Sequence, residues 1–362
     1  MIIKTVVLTI YFSILLGIGF FASRRIKNIS DYYVGGKKLN YWIAALSARS
    51  TGESGWLLIG VTGMGALMGV SAMWIVVGEV MGVFFSWQYM AKKFKRLTNE
   101  YNSITIPDFL VSHFRPSTNL IRILAATALS LFVVIYVSAQ IDITGKTFES
   151  FLGFNYYSGI AIGFGIVVLY IFSGGFLAVA WSDFFQGSLM FVALLFLPIV
   201  AFFGLSSDTS IINGLNAIDP ALLNIWGPGG FNWINFATVA GLVSIGVGFL
   251  GSPQVYVRFI AIESEDEVEK GKWVAIIYTL LTDTAAVMIG ILGRYILTKS
   301  GQDPEAVLGT AGENVLVMLL NQVMPTVIIG VYIAAVLSAV MSTVDSLLVV
   351  ASSAITRDFY QQ

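Results

Sequence analysis

The sequence predicts an all-α protein that lies in a membrane as a polytopic helix bundle, and three observations carry that expectation. Hydrophobic residues make up 57% of the chain and charged residues 11%, with a mean hydropathy of +0.83, whereas a soluble domain carries about 25% charged residues. The apolar residues fall in long runs, not in the period-two or narrow-stripe patterns of an aqueous core. The basic residues between the runs are distributed unevenly between alternate connections, as membrane topology requires.

A bilayer core needs about 20 apolar residues per helix, and on that criterion there are roughly nine spans. They lie near Thr5–Ala22, Trp42–Leu67, Ala72–Met90, Leu120–Thr144, Tyr157–Phe172, Phe184–Phe203, Trp233–Leu250, Trp273–Leu297 and Thr326–Ser352. The first is followed by Arg24, Arg25 and Lys27. A signal peptide carries its positive charges before the apolar stretch, so this run is read as a retained helix.

With the amino terminus outside, the inner connections hold Arg24, Arg25, Lys27, Lys37, Lys38, Lys92, Lys93, Lys95, Arg96, Arg115, Arg122, Arg258, Lys270, Lys272 and Arg357. The outer ones hold only Lys4, Lys146, Arg294 and Lys299. The imbalance predicts a multi-pass plasma-membrane protein with its amino terminus outside and its carboxyl terminus in the cytoplasm. Lys92 to Asn119 reads as including a short amphipathic helix on the inner surface, and the outer loop Ser206 to Gly230 as polar, with a short helix around Ile211–Ile218.

Several chemistries are excluded. The chain has no cysteine and a single histidine, His113, so disulfides, thiolate metal sites and histidine-based relays are not expected. A net charge of -1 gives no reason to expect a nucleic-acid partner. The chain is not expected to be an enzyme or to hold a cofactor.

Two spans are interrupted. The second contains Ser50-Thr51-Gly52-Glu53-Ser54-Gly55, and the seventh contains Gly246, Gly248, Gly251, Ser252 and Pro253. Such pairs point to discontinuous helices around a transporter's central site, where unwound backbone exposes amides and carbonyls. Glycine also serves simple close packing in membranes, but the five-span separation matches two inverted repeats. The chain then divides into a single transmembrane domain over 1–362, with an added helix and inner loop (1–40), a first repeat (41–204) and a partial second repeat (231–362).

Ionisable groups at membrane depth are costly unless paired or coordinated, so each is a functional candidate. Arg49 and Glu53, four residues apart, share a helix face and form either a structural ion pair or part of a coupling network with Glu79, Asp142 and Asp283. In the last span Ser342, Asp345 and Ser346 fall on one face with Thr343 adjacent. Hydroxyls with freed carbonyls suit a dehydrated sodium ion, although small hydroxyl residues also bond back to their own helix. Trp56, Tyr136 and Phe249 could wall a solute pocket or serve as packing.

These residues resemble the sodium/solute symporter family, and within it the bacterial sodium/proline symporters. The matching stretches are Asp31-Tyr32-Tyr33-Val34-Gly35-Gly36, Ala45-Leu46-Ser47-Ala48, Ser54-Gly55-Trp56-Leu57-Leu58, Ile106-Pro107-Asp108, Gly174-Gly175-Phe176-Leu177-Ala178-Val179, Trp181-Ser182-Asp183 and Ser338-Ala339-Val340-Met341-Ser342-Thr343, followed by Ala351-Ser352-Ser353-Ala354-Ile355-Thr356. The resemblance implies a LeuT-type inverted-repeat fold and sodium-coupled symport of a small polar solute, an amino acid such as proline. It implies sodium held by the carbonyls of Ser50, Glu53 and Ala339 and the hydroxyls of Ser342 and Thr343, with Asp183 and Asp345 on the ion pathway or at a second site. The solute would sit near Ser54, Gly55, Trp56, Tyr136, Gln140, Ile245, Phe249 and Pro253.

The departures are specific. Gly52 stands where the proline symporters have an aspartate, and Ile245 and Phe249 where they have Trp and Tyr. Losing an indole and a phenol removes hydrogen-bond donors, and the added charges of Arg49, Glu79, Asp142 and Asp283 suggest a different or more polar solute. Family members continue for several helices past Ile355-Thr356-Arg357-Asp358, so the second repeat is expected to lack its last two helices. Proton coupling and a solute-sensing membrane module remain alternative readings.

Overall fold

The computed structural model describes residues 2–205 and 210–360. Among these, the chain is helical throughout its spans and forms one isolated bridge, between Leu39 and Ile262. Side chains placed at the starts of the helices explain where several begin. The Asn40 carbonyl accepts from the Ile43 amide at the start of the second span, Asn232 does the same for Asn235 at the start of the seventh, and Ser264 caps Glu267 ahead of the eighth. Each satisfies an amide that the first helical turn leaves unpaired.

Among the described residues, seven continuous helices are long and apolar enough to cross a membrane. Two of them reverse direction, which gives the nine crossings expected. In the helical run Tyr41–Glu100, Gly271 lies against both Tyr41 and Trp87, whereas Gly290 lies against Thr62 and Gly65. The chain therefore runs across the bundle to Gly65 and returns to Trp87, turning at Gly69, whose φ of 60° is open to glycine. Within Tyr156–Phe203, Tyr170 packs on Gly19 and Gly174 on Ala22, and then Gln186 comes back to bond Tyr11. That turn lies at Gly175, with φ 49°.

Two helices run further than hydropathy suggested: the fourth extends over Leu120–Leu152 and the eighth over Glu265–Leu297. The short helix Ile211–Ile218 is present in the connection after the sixth span; the first residues of that connection, Ser206 to Thr209, lie outside the described residues. On the opposite side Lys92–Glu100 continues the third span, and Ile106–Phe114 forms a separate helix capped by Thr105.

The ninth span, Thr326–Ser353, is the axis of the bundle: 83% of its most apolar window is buried, against 22% for the fourth span. The first span is tied to it, since Tyr11 receives hydrogen bonds from Ser338 and Gln186 at 3.0 and 2.9 Å. The third and seventh spans touch through backbone. A Cβ at Gly246 would stand 1.8 Å from the Gly78 carbonyl oxygen, and one at Gly82 2.0 Å from that of Gly246. Small residues that admit such approach are how helices pack where lipid supplies no hydrophobic drive.

One expectation is corrected. Arg258 was assigned to an inner connection, but it lies in the helix Pro253–Ala261 and is fully buried. The reason is the break that precedes it: Ser252 is extended, Pro253 starts a new helix, and this short helix turns its charge into the bundle.

Candidate functional site

The site begins with the backbone of Ser54, whose φ of 54° and ψ of -178° interrupt the second span. This region is close to glycine-only, and a side chain there is held in place by its surroundings. The amides released by the break are met by side chains. Gly55 N–H donates to Gln140 Oε1 at 3.2 Å, and Trp56 N–H donates to the Ser54 hydroxyl at 3.2 Å.

Carbonyls just before the break face the ninth span. Ser342 Oγ donates to the carbonyl oxygens of Ser50 at 3.1 Å and Ala339 at 3.3 Å, and Thr343 Oγ1 donates to those of Thr51 at 3.1 Å and Ala339 at 3.0 Å. All five residues are fully buried. The structure thus brings together Ser50, Ala339, Ser342 and Thr343 and adds the Thr51 carbonyl. The Thr51 hydroxyl, also buried, has no hydrogen-bond partner. The Glu53 carbonyl instead accepts the helical bond from Leu57 N–H. A cluster of neutral hard oxygens with no carboxylate among them suits a monovalent cation.

Beyond the break lies a cavity of about 540 Å³. Of the residues expected around the solute, Ser54, Gly55, Trp56, Tyr136, Gln140, Ile245 and Phe249 line it, and Glu79 joins them. Pro253 does not; it borders a neighbouring cavity of about 250 Å³ on the other side of Tyr136. The separation follows from its place at the start of the helix after the seventh-span break, where Gly248, Ser252 and Gln254 reach the main cavity but the pyrrolidine ring does not.

Asp183 and Asp345 belong to one buried polar group. Arg258 donates to Asp183 Oδ2 at 2.7 Å, to the Ser47 hydroxyl at 2.9 Å and to the Ser346 hydroxyl. Asp345 accepts from Ser346 at 3.1 Å, from Tyr170 at 2.6 Å and from Ser182 at 3.4 Å. Every one of these groups is out of contact with solvent, so the charges persist only because they are paired and hydrogen-bonded.

A second charged group surrounds Arg49. Its guanidinium bonds Glu53 one turn away, stands 4.0 Å from Glu79 and lies 4.5 Å from the centre of the Phe249 ring. Asp283, from the eighth span, stands beside Glu53 and accepts from Thr282 at 3.3 Å. Asp142 is not part of this group, contrary to expectation. It is half exposed, pairs with Lys146 one turn on at 3.1 Å and accepts from Tyr156 at 2.6 Å.

The model of the sodium:solute symporter family matches residues 32–362. This chain belongs to that family. The symporter is 36% identical over 348 residues to the high-affinity proline transporter PutP of Bacillus subtilis, covering 95% of this chain and 71% of that protein. It is 32% identical over 358 residues to the osmoregulated proline transporter OpuE of the same organism, covering 98% and 70%. Its fold matches a Na+-coupled sialic acid symporter with a TM-score of 0.82 at 20% identity, over 99% of this chain and 73% of that one. The symporter is accordingly an all-α, LeuT-type, multi-pass plasma-membrane protein of a sodium-coupled family, and its work is transport, not catalysis.

The sequence did not single out Arg258, Tyr170, Ser182 or Thr51 in the symporter. For Arg258 a signal was available: it is an arginine flanked by Val255-Tyr256-Val257 and Phe259-Ile260-Ala261, a run too apolar for a surface connection. Tyr170 and Ser182 carry no such mark, because only the reversal at Gly175 brings both to Asp345.

Proposed function

We propose that this symporter moves a small polar solute, an amino acid of the proline type, across the membrane together with sodium. The observation that carries the reading is the meeting of Ser342 and Thr343 with the Ser50 and Thr51 carbonyls directly beside the broken helix that walls the cavity. Sodium occupies the oxygens of Ser50, Ala339, Ser342 and Thr343, with Thr51 supplying a further carbonyl and Asp183 and Asp345 lying on the ion's path; the Glu53 carbonyl, bonded to Leu57 N–H, stands outside this set. The solute occupies the cavity between Ser54, Gly55, Trp56, Tyr136, Gln140, Ile245 and Phe249. The relatives named for proline support the solute class, and the replacements at Ile245 and Phe249 argue for a solute that is not proline itself.

Sodium in this site takes the place of the hydroxyl-to-carbonyl hydrogen bonds that now bridge the second and ninth spans, and so fixes the break in the form that holds Ser54, Gly55 and Trp56 at the wall of the solute cavity. Inward movement of each charge contributes about 2.3 kcal/mol per 100 mV of membrane potential. The charge asymmetry of the connections supports an amino terminus outside and a carboxyl terminus in the cytoplasm, Arg258 no longer counting among them. The carboxyls around Arg49 favour a second reading in which a proton is the coupling ion. Uptake of labelled proline and its analogues into proteoliposomes, under a sodium gradient and under a proton gradient alone, decides between them. Uptake that ignores sodium sinks the first reading.

A further inference from the structure

The cavity is charged in one place only. Among the residues lining it, Glu79 is the single carboxylate, and neither a guanidinium nor an ammonium shares the wall. Arg49 is screened from the cavity, because its guanidinium lies over the Phe249 ring and Phe249, not Arg49, forms the lining. Glu79 is 5% exposed. Its nearest cation is Arg49 at 4.0 Å, already engaged by Glu53.

The local charge is also out of balance. One guanidinium stands among three carboxyls, those of Glu53, Glu79 and Asp283. A buried carboxylate that faces a cavity without a cation of its own is an expensive arrangement unless something arriving in the cavity compensates it. The rest of the wall has matching chemistry. Trp56, Tyr136 and Phe249 present three aromatic side chains to the same space, and aromatic faces attract cations in desolvated sites.

We propose that the solute of this symporter carries a cationic nitrogen and that Glu79 receives it, making Glu79 a specificity-determining residue of the cavity. The proposal rests on the reading of this cavity as the solute site. Glu79 supplies the charge, the aromatic walls exclude water and stabilise the cation, and the Gly55–Gln140 and Ser54–Trp56 bonds hold the facing backbone in position. A neutral or purely anionic solute leaves Glu79 buried and uncompensated and is rejected for that reason.

The test measures binding to the purified protein in sodium with a set of probes. Proline, proline betaine, pyrrolidine and lysine carry a cationic nitrogen; tetrahydrofuran-2-carboxylate, which has a ring oxygen in place of the proline nitrogen, and glucose do not. At least one cationic probe is expected to bind about tenfold or more tighter than tetrahydrofuran-2-carboxylate and glucose, which lack the cationic nitrogen. Glu79→Gln is expected to remove that preference, and Glu79→Asp to keep most of it. Sodium binding, measured with labelled sodium, stays unchanged in both variants and reports that the fold is intact. Proline against proline betaine separates N–H donation from charge alone. If tetrahydrofuran-2-carboxylate binds as well as proline, if no cationic probe binds, or if Glu79→Gln retains the preference, the proposal is overturned. If proline fails while another cation binds through Glu79, the proline-type reading falls and this one stands.

Discussion

Ser342 donates its hydroxyl to the backbone carbonyl of Ser50 at 3.1 Å, joining the last turn before the break in the second span to the middle of the ninth. Sequence separation between the two is 292 residues, so the contact exists only when the whole bundle is assembled. Replacing Ser342 by Ala, or Thr343 by Val, removes one hard oxygen from the cluster. Each is expected to raise the sodium concentration for half-maximal uptake about tenfold, equivalent to about 1.4 kcal/mol, and the double variant to abolish sodium dependence. Uptake titrated against sodium checks this; an unchanged sodium requirement in both single variants would remove these residues from the site.

Asp183 and Arg258 form the most deeply enclosed ion pair of the bundle's centre, with neither side chain exposed. Asp183→Asn leaves the guanidinium buried with a single carboxylate group, Asp345, within the same network and should cost about 3–5 kcal/mol of stability. The double change Asp183→Asn with Arg258→Met should recover most of that loss. Thermal unfolding of the three variants tests the coupling, and additive losses in the double variant would show that the two residues do not depend on each other.

The backbone at Ser54 predicts an unusual pair of outcomes. Ser54→Gly relieves the positive φ and should raise stability by about 0.4–1 kcal/mol, while weakening solute binding through loss of the hydroxyl that holds Trp56 N–H. Ser54→Val should lower stability by about 1–3 kcal/mol. Equal stability of the Gly and Val variants, read by thermal unfolding, would contradict the geometry.

Gly246 and Gly248 lie two residues apart in the seventh span with opposite surroundings. A methyl group at Gly246 would meet the Gly78 carbonyl at 1.8 Å, whereas one at Gly248 meets nothing within 4 Å. Gly246→Ala should therefore cost about 1–3 kcal/mol or more through forced separation of the third and seventh spans, and Gly248→Ala should be close to neutral. Similar stabilities for the two variants would rule out backbone contact between the spans.

The absence of cysteine permits a direct check of orientation. Single replacements Lys299→Cys and Lys93→Cys in intact cells should differ, the first reacting with a membrane-impermeant maleimide and the second only after permeabilisation. The reverse pattern would invert the topology.

Composition and apolar run length were enough to read the nine crossings and their order, because each span must satisfy its own backbone in lipid. The break near Ser54 was legible for the same reason: Thr51-Gly52-Glu53-Ser54-Gly55 is too polar and glycine-rich to be a plain helix at that depth. What the sequence hid depends on tertiary reversal. Asp142 looked like a membrane carboxylate until the fourth helix proved to extend to Leu152, where Lys146 one turn on already answers its charge. Arg258 looked like a surface charge because the break at Ser252 was not recognised as the start of a second helix directed inward. Glu79 read as a member of a coupling network, and it stands both beside Arg49 and at the wall of a cavity, a second position made visible by the Phe249 ring and by nothing in its own span.

The break at Ser54 has one more consequence. The carbonyls of Ser50 and Thr51 and the amides of Gly55 and Trp56 belong to a single stretch of seven residues, residues 50–56, with one strained torsion between them. With sodium at those carbonyls and the solute beside Ser54, as proposed, anything that sets that torsion for one ligand sets it for the other. Thermodynamic reciprocity then requires that the factor by which sodium tightens the solute equal the factor by which the solute tightens sodium. Energy exchange between the two passengers is thus a property of one short peptide segment, and its size should follow the stiffness of that segment more closely than the identity of either passenger.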